Sequence, residues 1–178
     1  MTDDELNQFL NLLRREGWEV VEKKDSKLDL GFPVSSRYPN LPEDFMFFLG
    51  RVAVCANAAD NVWFLCEDHY NGSRESAFVW NEFELQSLDA ADDDEHLRKS
   101  IKEFWDTHIP FMLSVKSDYA YVGLSVSQAN YGAIVSSYEP EYEETVTVCD
   151  SFSDFIRLCI SILNKETEVP VRLYDFFD

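Results

Sequence analysis

The chain has 178 residues, of which 46% are hydrophobic and 15% aromatic, so it can bury one sizeable core and is not intrinsically disordered. With 34 Asp and Glu against 15 Lys and Arg, its net charge is −19, which argues against binding to nucleic-acid phosphates or to an anionic membrane surface. No apolar run approaches the ~20 residues that cross a bilayer, and the acidic start is unlike a secretory signal, so we expect a cytoplasmic protein.

The first half of the chain predicts two helices and several short strands. Apolar residues with helical spacing over 6–13 predict an amphipathic helix that ends near Gly17, followed by a strand at 18–21. A second helix should span 41–50, because Pro and acidic residues suit a first helical turn. β-Branched and aromatic runs separated by Asn-rich turns predict strands at 52–55, 62–66 and 77–80.

The second half predicts a helix, four strands and a closing helix. The apolar residues from Leu97 to Trp105 have helical spacing and follow an acidic first turn, so they predict a helix. The capping box of Ser151 and Asp154 predicts the start of the closing helix. The tail at 165–178 contains Pro170, and the sequence leaves open whether it packs back onto the domain or stays mobile. The strands are predicted at 111–115, 119–126, 133–138 and 145–149. This order predicts a single α+β domain over 1–178, with a mostly antiparallel twisted sheet and helices mainly on one side.

The reactive side chains do not match a familiar catalytic or metal site. A nucleophilic enzyme would pair Cys66 or Cys149 with His69 or His108, yet Gly-x-Ser-x-Gly is absent. The acidic segment 92–96 lacks the spacing and central glycine of a calcium loop and suits a helix start instead. All four cysteines lack C-x-x-C spacing, which favours free buried thiols. We therefore expect no catalysis, metal or cofactor, and a Cys66–His69 hydrolase is the least favoured alternative.

Four motifs in series resemble the SUKH superfamily, over about residues 35–165. They are Leu41-Pro42-Glu43-Asp44-Phe45, Trp105 with Ile109-Pro110-Phe111, Asp118-Tyr-Ala-Tyr-Val-Gly-Leu, and Ser151-Phe-Ser-Asp-Phe-Ile. The resemblance implies a binding module, used by fungal regulators of cell-wall glucan synthesis and by bacterial immunity proteins that neutralise toxins, often nucleases. Where that superfamily often has an Asn-Gly-Gly turn after the Leu-Pro helix, this chain has Cys-Ala-Asn-Ala-Ala-Asp-Asn at 55–61.

The negative charge is concentrated in two segments. Residues 38–97 hold 13 Asp and Glu against Arg51 and Arg74, and residues 117–156 hold 7 acids without Lys or Arg. Such segregation predicts an acidic face that attracts a basic protein. The predicted contacts are Asp92, Asp93, Asp94, Glu139, Glu141, Glu143 and Glu144, with Tyr138 and Tyr142 as aromatic anchors and Asp60, Glu67 and Asp68 as a second choice.

These features together predict an immunity protein that blocks a cognate toxin domain, for which a nuclease is a natural target because its active site is basic. The alternative is a regulatory adaptor or scaffold in cell-wall or envelope synthesis, as the fungal relatives suggest. Exposed sheet edges can self-pair, so a homodimer is left open as well.

Overall fold

The computed structural model describes residues 1–32, 34–73 and 78–177. Its central element is a seven-stranded sheet in which every strand pairs antiparallel with the next one along the chain. The strands are Glu19–Glu22 (β1), Val52–Ala56 (β2), Val62–Phe64 (β3), His108–Ser114 (β4), Ala120–Ser125 (β5), Ile134–Tyr138 (β6) and Val146–Cys149 (β7). This meander confirms the predicted α+β class, and β1 and β7 are the two edges.

Helices precede, interrupt and follow the sheet. They are Asp3–Arg15 (α1), Val34–Arg37 (α2), Glu43–Arg51 (α3), Glu67–Tyr70 (α4), Glu82–Ala90 (α5), Glu95–Trp105 (α6), Phe152–Leu163 (α7) and Tyr174–Phe177 (α8), with a 3-10 turn at Val171–Leu173 (η1) before α8. The predicted cap of α7 is confirmed, because the Ser151 hydroxyl accepts from the Asp154 amide. Among the described helices, none has the length and apolar character to span a bilayer.

The helices pack on both faces of the sheet, whereas the sequence predicts them mainly on one. Trp63 and Phe64 are adjacent in β3 and therefore point to opposite faces. Phe64 contacts Phe48 of α3, with ring centroids 5.3 Å apart. Trp63 contacts Phe78, which packs against Phe83 of α5. The helices α1 and α3 pack with α7, so these three helices lie on the same face of the sheet as Phe48. The helices α5 and α6 pack with each other on the opposite face.

Several stretches differ from the sequence-based prediction. Of the strand predicted at 77–80, Ala77 lies outside the described residues, and 78–80 form a bend and a turn. The helix α5 was not predicted, because it buries the charged Glu84 beside Phe83 and so has no clear apolar stripe. The tail after α7 packs back onto the sheet, since Leu173 and Phe176 are buried.

Candidate protein-binding surface

The predicted glutamates lie in the connection between β6 and β7, here called the acidic loop (residues 139–145). Glu139, Glu141 and Glu144 are exposed, and Glu143 is half-buried. In the described part of the chain, no lysine or arginine lies within 4.0 Å of a carboxylate of this loop. Many other acids of the protein do form such ion pairs, so the acidic loop presents charge that is not neutralised by a direct contact.

Tyr142 anchors the acidic loop to the helical layer formed by α5 and α6. Its ring is 3% exposed and stacks on Phe83 with centroids 4.6 Å apart. Its hydroxyl donates to Gln86 Oε1 at 2.9 Å, and its carbonyl accepts from the Tyr121 hydroxyl at 2.7 Å. Burial, with the negative field of Glu139, raises the pKa of Tyr142, so the phenol stays protonated as a donor. The prediction that Tyr142 is an exposed contact anchor is wrong, because its ring is part of the core.

Two further hydrogen bonds restrain the acidic loop. The Ser137 hydroxyl points at the carbonyl oxygens of Glu141 and Glu144, at 2.7 and 2.8 Å, and can share its proton between them. The indole Nε1 of Trp105, at the end of α6, donates to Glu143 Oε1 at 2.7 Å. Glu143 is therefore partly used inside the molecule, whereas the carboxylates of Glu139, Glu141 and Glu144 project from a fixed backbone.

Tyr138 is exposed but is already covered on one side by a cation of the tail. The Arg172 guanidinium lies over its ring, 4.9 Å from the centroid. Arg172, Glu141 and Glu144 line one small recess with Tyr138. Among the described residues, Arg172 is thus a cation close to the acidic loop, although its nitrogens form no ion pair with the loop's carboxylates.

The three aspartates Asp92, Asp93 and Asp94 are exposed but lie in a different place, at the turn between α5 and α6. Asp94 Oδ1 accepts from the Leu97 amide at 3.0 Å and so caps α6. Trp105, which contacts the acidic loop, is eleven residues further on, which corresponds to about 16 Å along a helix. The two predicted acidic groups therefore lie at opposite ends of α6 and do not form one cluster.

Two of the three second-choice acids have side-chain partners within the molecule. The Glu67 carboxylate forms an ion pair with Lys23, and Asp68 accepts from the Ser73 hydroxyl at 3.2 Å. Asp60 occupies a turn with a positive φ of 52°. Glu67 and Asp68 therefore offer less free charge than the acidic loop.

Several exposed apolar side chains near the acidic loop were not predicted as contacts. Val146 of β7, Val171 of η1 and Tyr174 of α8 are 42%, 76% and 48% exposed. They belong to elements close to the loop, because η1 packs against β6 and its Arg172 covers Tyr138. For Val146 the sequence signal is the alternation Thr-Val-Thr-Val at 145–148, which cannot show that the strand lies at an edge of the sheet.

The pair Cys66 and His69 forms a helix cap. His69 Nδ1 accepts from the backbone amide of Cys66 at 3.0 Å, which places the ring proton on Nε2. The Cys66 sulfur points at the Phe64 carbonyl at 3.7 Å. Both residues are buried, and this tautomer leaves no ring nitrogen free to take a proton from the thiol.

A groove of about 760 Å³ separates the tail from the turn between β2 and β3. Its walls include Lys116 and Lys165 as well as Glu166 and Glu168, over an apolar floor that contains Phe177. Because both signs of charge line it, the groove is less suited than the acidic loop to a basic protein. Over the described residues, no three His, Cys, Asp or Glu side chains come together in a way that could hold a metal ion.

Comparisons with known proteins give no match to this chain among family models, curated proteins or solved structures.

Proposed function

We propose that this protein is a non-catalytic binding module that captures a basic protein through its acidic loop. The observation that carries the proposal is the arrangement of Glu139, Glu141 and Glu144, whose exposed carboxylates have no ion-pair partner in the described residues and project from an anchored loop. Asp92, Asp93 and Asp94 then act at a distance, by adding to the negative field on the partner's approach.

Two physical effects support binding by this loop. A net charge of −19 attracts a cationic protein over a Debye length of about 8 Å in physiological salt and can raise the association rate roughly 10- to 1000-fold. The buried ring of Tyr142 and the Ser137 hydrogen bonds hold the loop in place before binding. Less conformational entropy is therefore lost when the partner docks.

The partner that we favour is a basic toxin domain, and the module would neutralise it in the cytoplasm. The likeness of four motifs to the SUKH superfamily supports this choice, since many bacterial members are immunity proteins. A nuclease toxin fits in particular, because an active site that binds phosphate is cationic. An adaptor in envelope synthesis would use the same loop on a partner that is not toxic.

The experiment compares capture of partners by three immobilised proteins from a lysate of the source cells. They are the wild type, the loop variant Glu139→Lys/Glu141→Lys/Glu144→Lys, and the control variant Glu19→Lys/Asp25→Lys/Glu166→Lys, which changes the net charge equally at exposed sites elsewhere. We expect the wild type and the control to retain a basic protein. The loop variant should retain at most about one tenth of the amount that the wild type retains.

Each outcome has a consequence. Equal capture by the loop variant would contradict the assignment of the surface, and the absence of any basic protein above the bead background would contradict the function. The captured protein is then expressed alone and together with the wild type. Cell death that the wild type prevents supports immunity, whereas a harmless partner favours the adaptor.

A further inference from the structure

The edge strand β7 exposes one row of backbone hydrogen-bonding groups. In the described part of the chain, its backbone hydrogen bonds go to β6 alone. Thr147 is paired with Val135 and Cys149 with Ile134, so Val148 has no partner and forms a bulge. The regular part of the open edge is therefore Val146 and Thr147, whose exposed side chains follow a half-exposed Thr145 that lies just before the strand.

The opposite edge is protected in a different way. Two of the four residues of β1, Glu19 and Glu22, are charged, and Glu22 forms ion pairs with Arg14 and Arg51. Charged and paired side chains of this kind discourage the addition of another strand. β7 contains neither Lys nor Pro, the residues that commonly guard an edge, and it ends in acidic residues on both sides.

The charges at its two ends determine which strand β7 can accept. If a second copy paired antiparallel about Thr147, Glu144 of each copy would lie opposite Asp150 of the other, and like charges facing each other destabilise a strand pair. A strand with Lys or Arg at both ends would instead place opposite charges in these positions. The carboxylates of Glu139 and Glu141 add to the attraction at one end.

We infer that β7 binds an extended segment of the basic partner as an eighth strand, with uncharged residues along 145–147 and basic residues toward Glu144 and Asp150. This inference rests on the proposed function and specifies how the partner docks. Backbone hydrogen bonds along a stretch this short hold a strand only weakly. The acidic loop supplies the attraction that the short ladder lacks, and the ladder fixes the register.

The experiment uses three synthetic peptides of about ten residues, a usual strand length. The first has lysines at both ends and alternating Val and Thr between them. In the other two, every second central amide is methylated, on odd positions in one peptide and on even positions in the other. Because alternate amides of an antiparallel strand face its partner, one methylated peptide loses its bonds to β7 and the other keeps them. All three carry the same charge.

Binding is measured by titrating the isotope-labelled full chain at low ionic strength and following its backbone amides. We expect protection from hydrogen exchange in 145–149, and a loss of affinity of roughly tenfold or more for one methylated peptide only. Equal affinity of all three peptides, no binding at all, or a dimer of the free protein with protected β7 amides would overturn the inference. None of these results bears on capture of a partner by the acidic loop, so the proposed function is judged separately by the lysate experiment.

Discussion

Removal of Arg37 should destabilise the protein strongly, because it would leave a buried carboxylate without its counter-ion. Nη1 and Nη2 of Arg37 donate to the two oxygens of Glu84, at 2.6 and 2.8 Å. Glu84 is only 5% exposed. The pair joins α2 to α5, on the sheet face that also supports the acidic loop. The substitution Arg37→Met removes the guanidinium and keeps an apolar stem of similar length.

The expected cost follows from the burial of the two partners. Breaking a buried ion pair costs about 3–5 kcal/mol, and the Arg37 side chain is 20% exposed, so we expect the lower end, about 3 kcal/mol. Glu84→Met should cost less, about 2 kcal/mol, because Arg37 keeps its hydrogen bond to Asp106 at 2.8 Å. The double variant should lie within about 1–2 kcal/mol of the wild type, since two apolar residues often replace a buried pair at little cost.

Urea unfolding, followed by circular dichroism at neutral pH, gives the four free energies of unfolding and their coupling. Arg157→Met is the matched control, because its ion pairs with Glu5 and Asp154 are exposed to solvent and should contribute far less to the free energy of unfolding than the buried pair. A loss below about 1 kcal/mol for Arg37→Met, or a double variant equal to the sum of the single ones, would refute the argument from burial.

Three further results are expected. Burial raises the pKa of Cys149 to about 12. A thiol reagent at mildly alkaline pH should therefore label Cys149 slowly in the native protein and fast in the urea-unfolded protein. Fast labelling of Cys149 in the native protein would contradict this. Burial also lowers the pKa of His108, so the unfolded state binds more protons below its ordinary pKa of about 6.5, and the free energy of unfolding should decrease as the pH falls from neutral through that value. This decrease should become smaller in His108→Gln, as measured by urea unfolding across that pH range, and an unchanged slope would rule out His108 as its source. Tyr142→Phe removes the hydrogen bond to Gln86 and should cost about 1 kcal/mol of stability, yet it should leave capture of a basic partner unchanged, because the ring does not reach the surface.

Local patterns were sufficient for much of the fold. The helices α1, α3, α6 and α7 and the seven strands lie close to their predicted positions, because each has apolar spacing of the right period or an explicit start signal such as Ser151. The exposed position of Glu139, Glu141 and Glu144 also follows from a polar stretch between two strands. In contrast, α5 was missed because its buried side chains include the ion-paired Glu84, which periodicity counts as a surface residue.

The sequence by itself determined the α+β class, the order of the main elements and the excess of carboxylates, since these depend on composition and on neighbours along the chain. Only the tertiary structure decided that Asp92–Asp94 lie away from the acidic loop, that Tyr142 is buried against Phe83, and that β7 is an open edge. The physical reason is that burial and charge clustering depend on contacts between residues far apart in the chain. A residue's own neighbours in sequence carry no information about which distant ring or carboxylate will lie beside it.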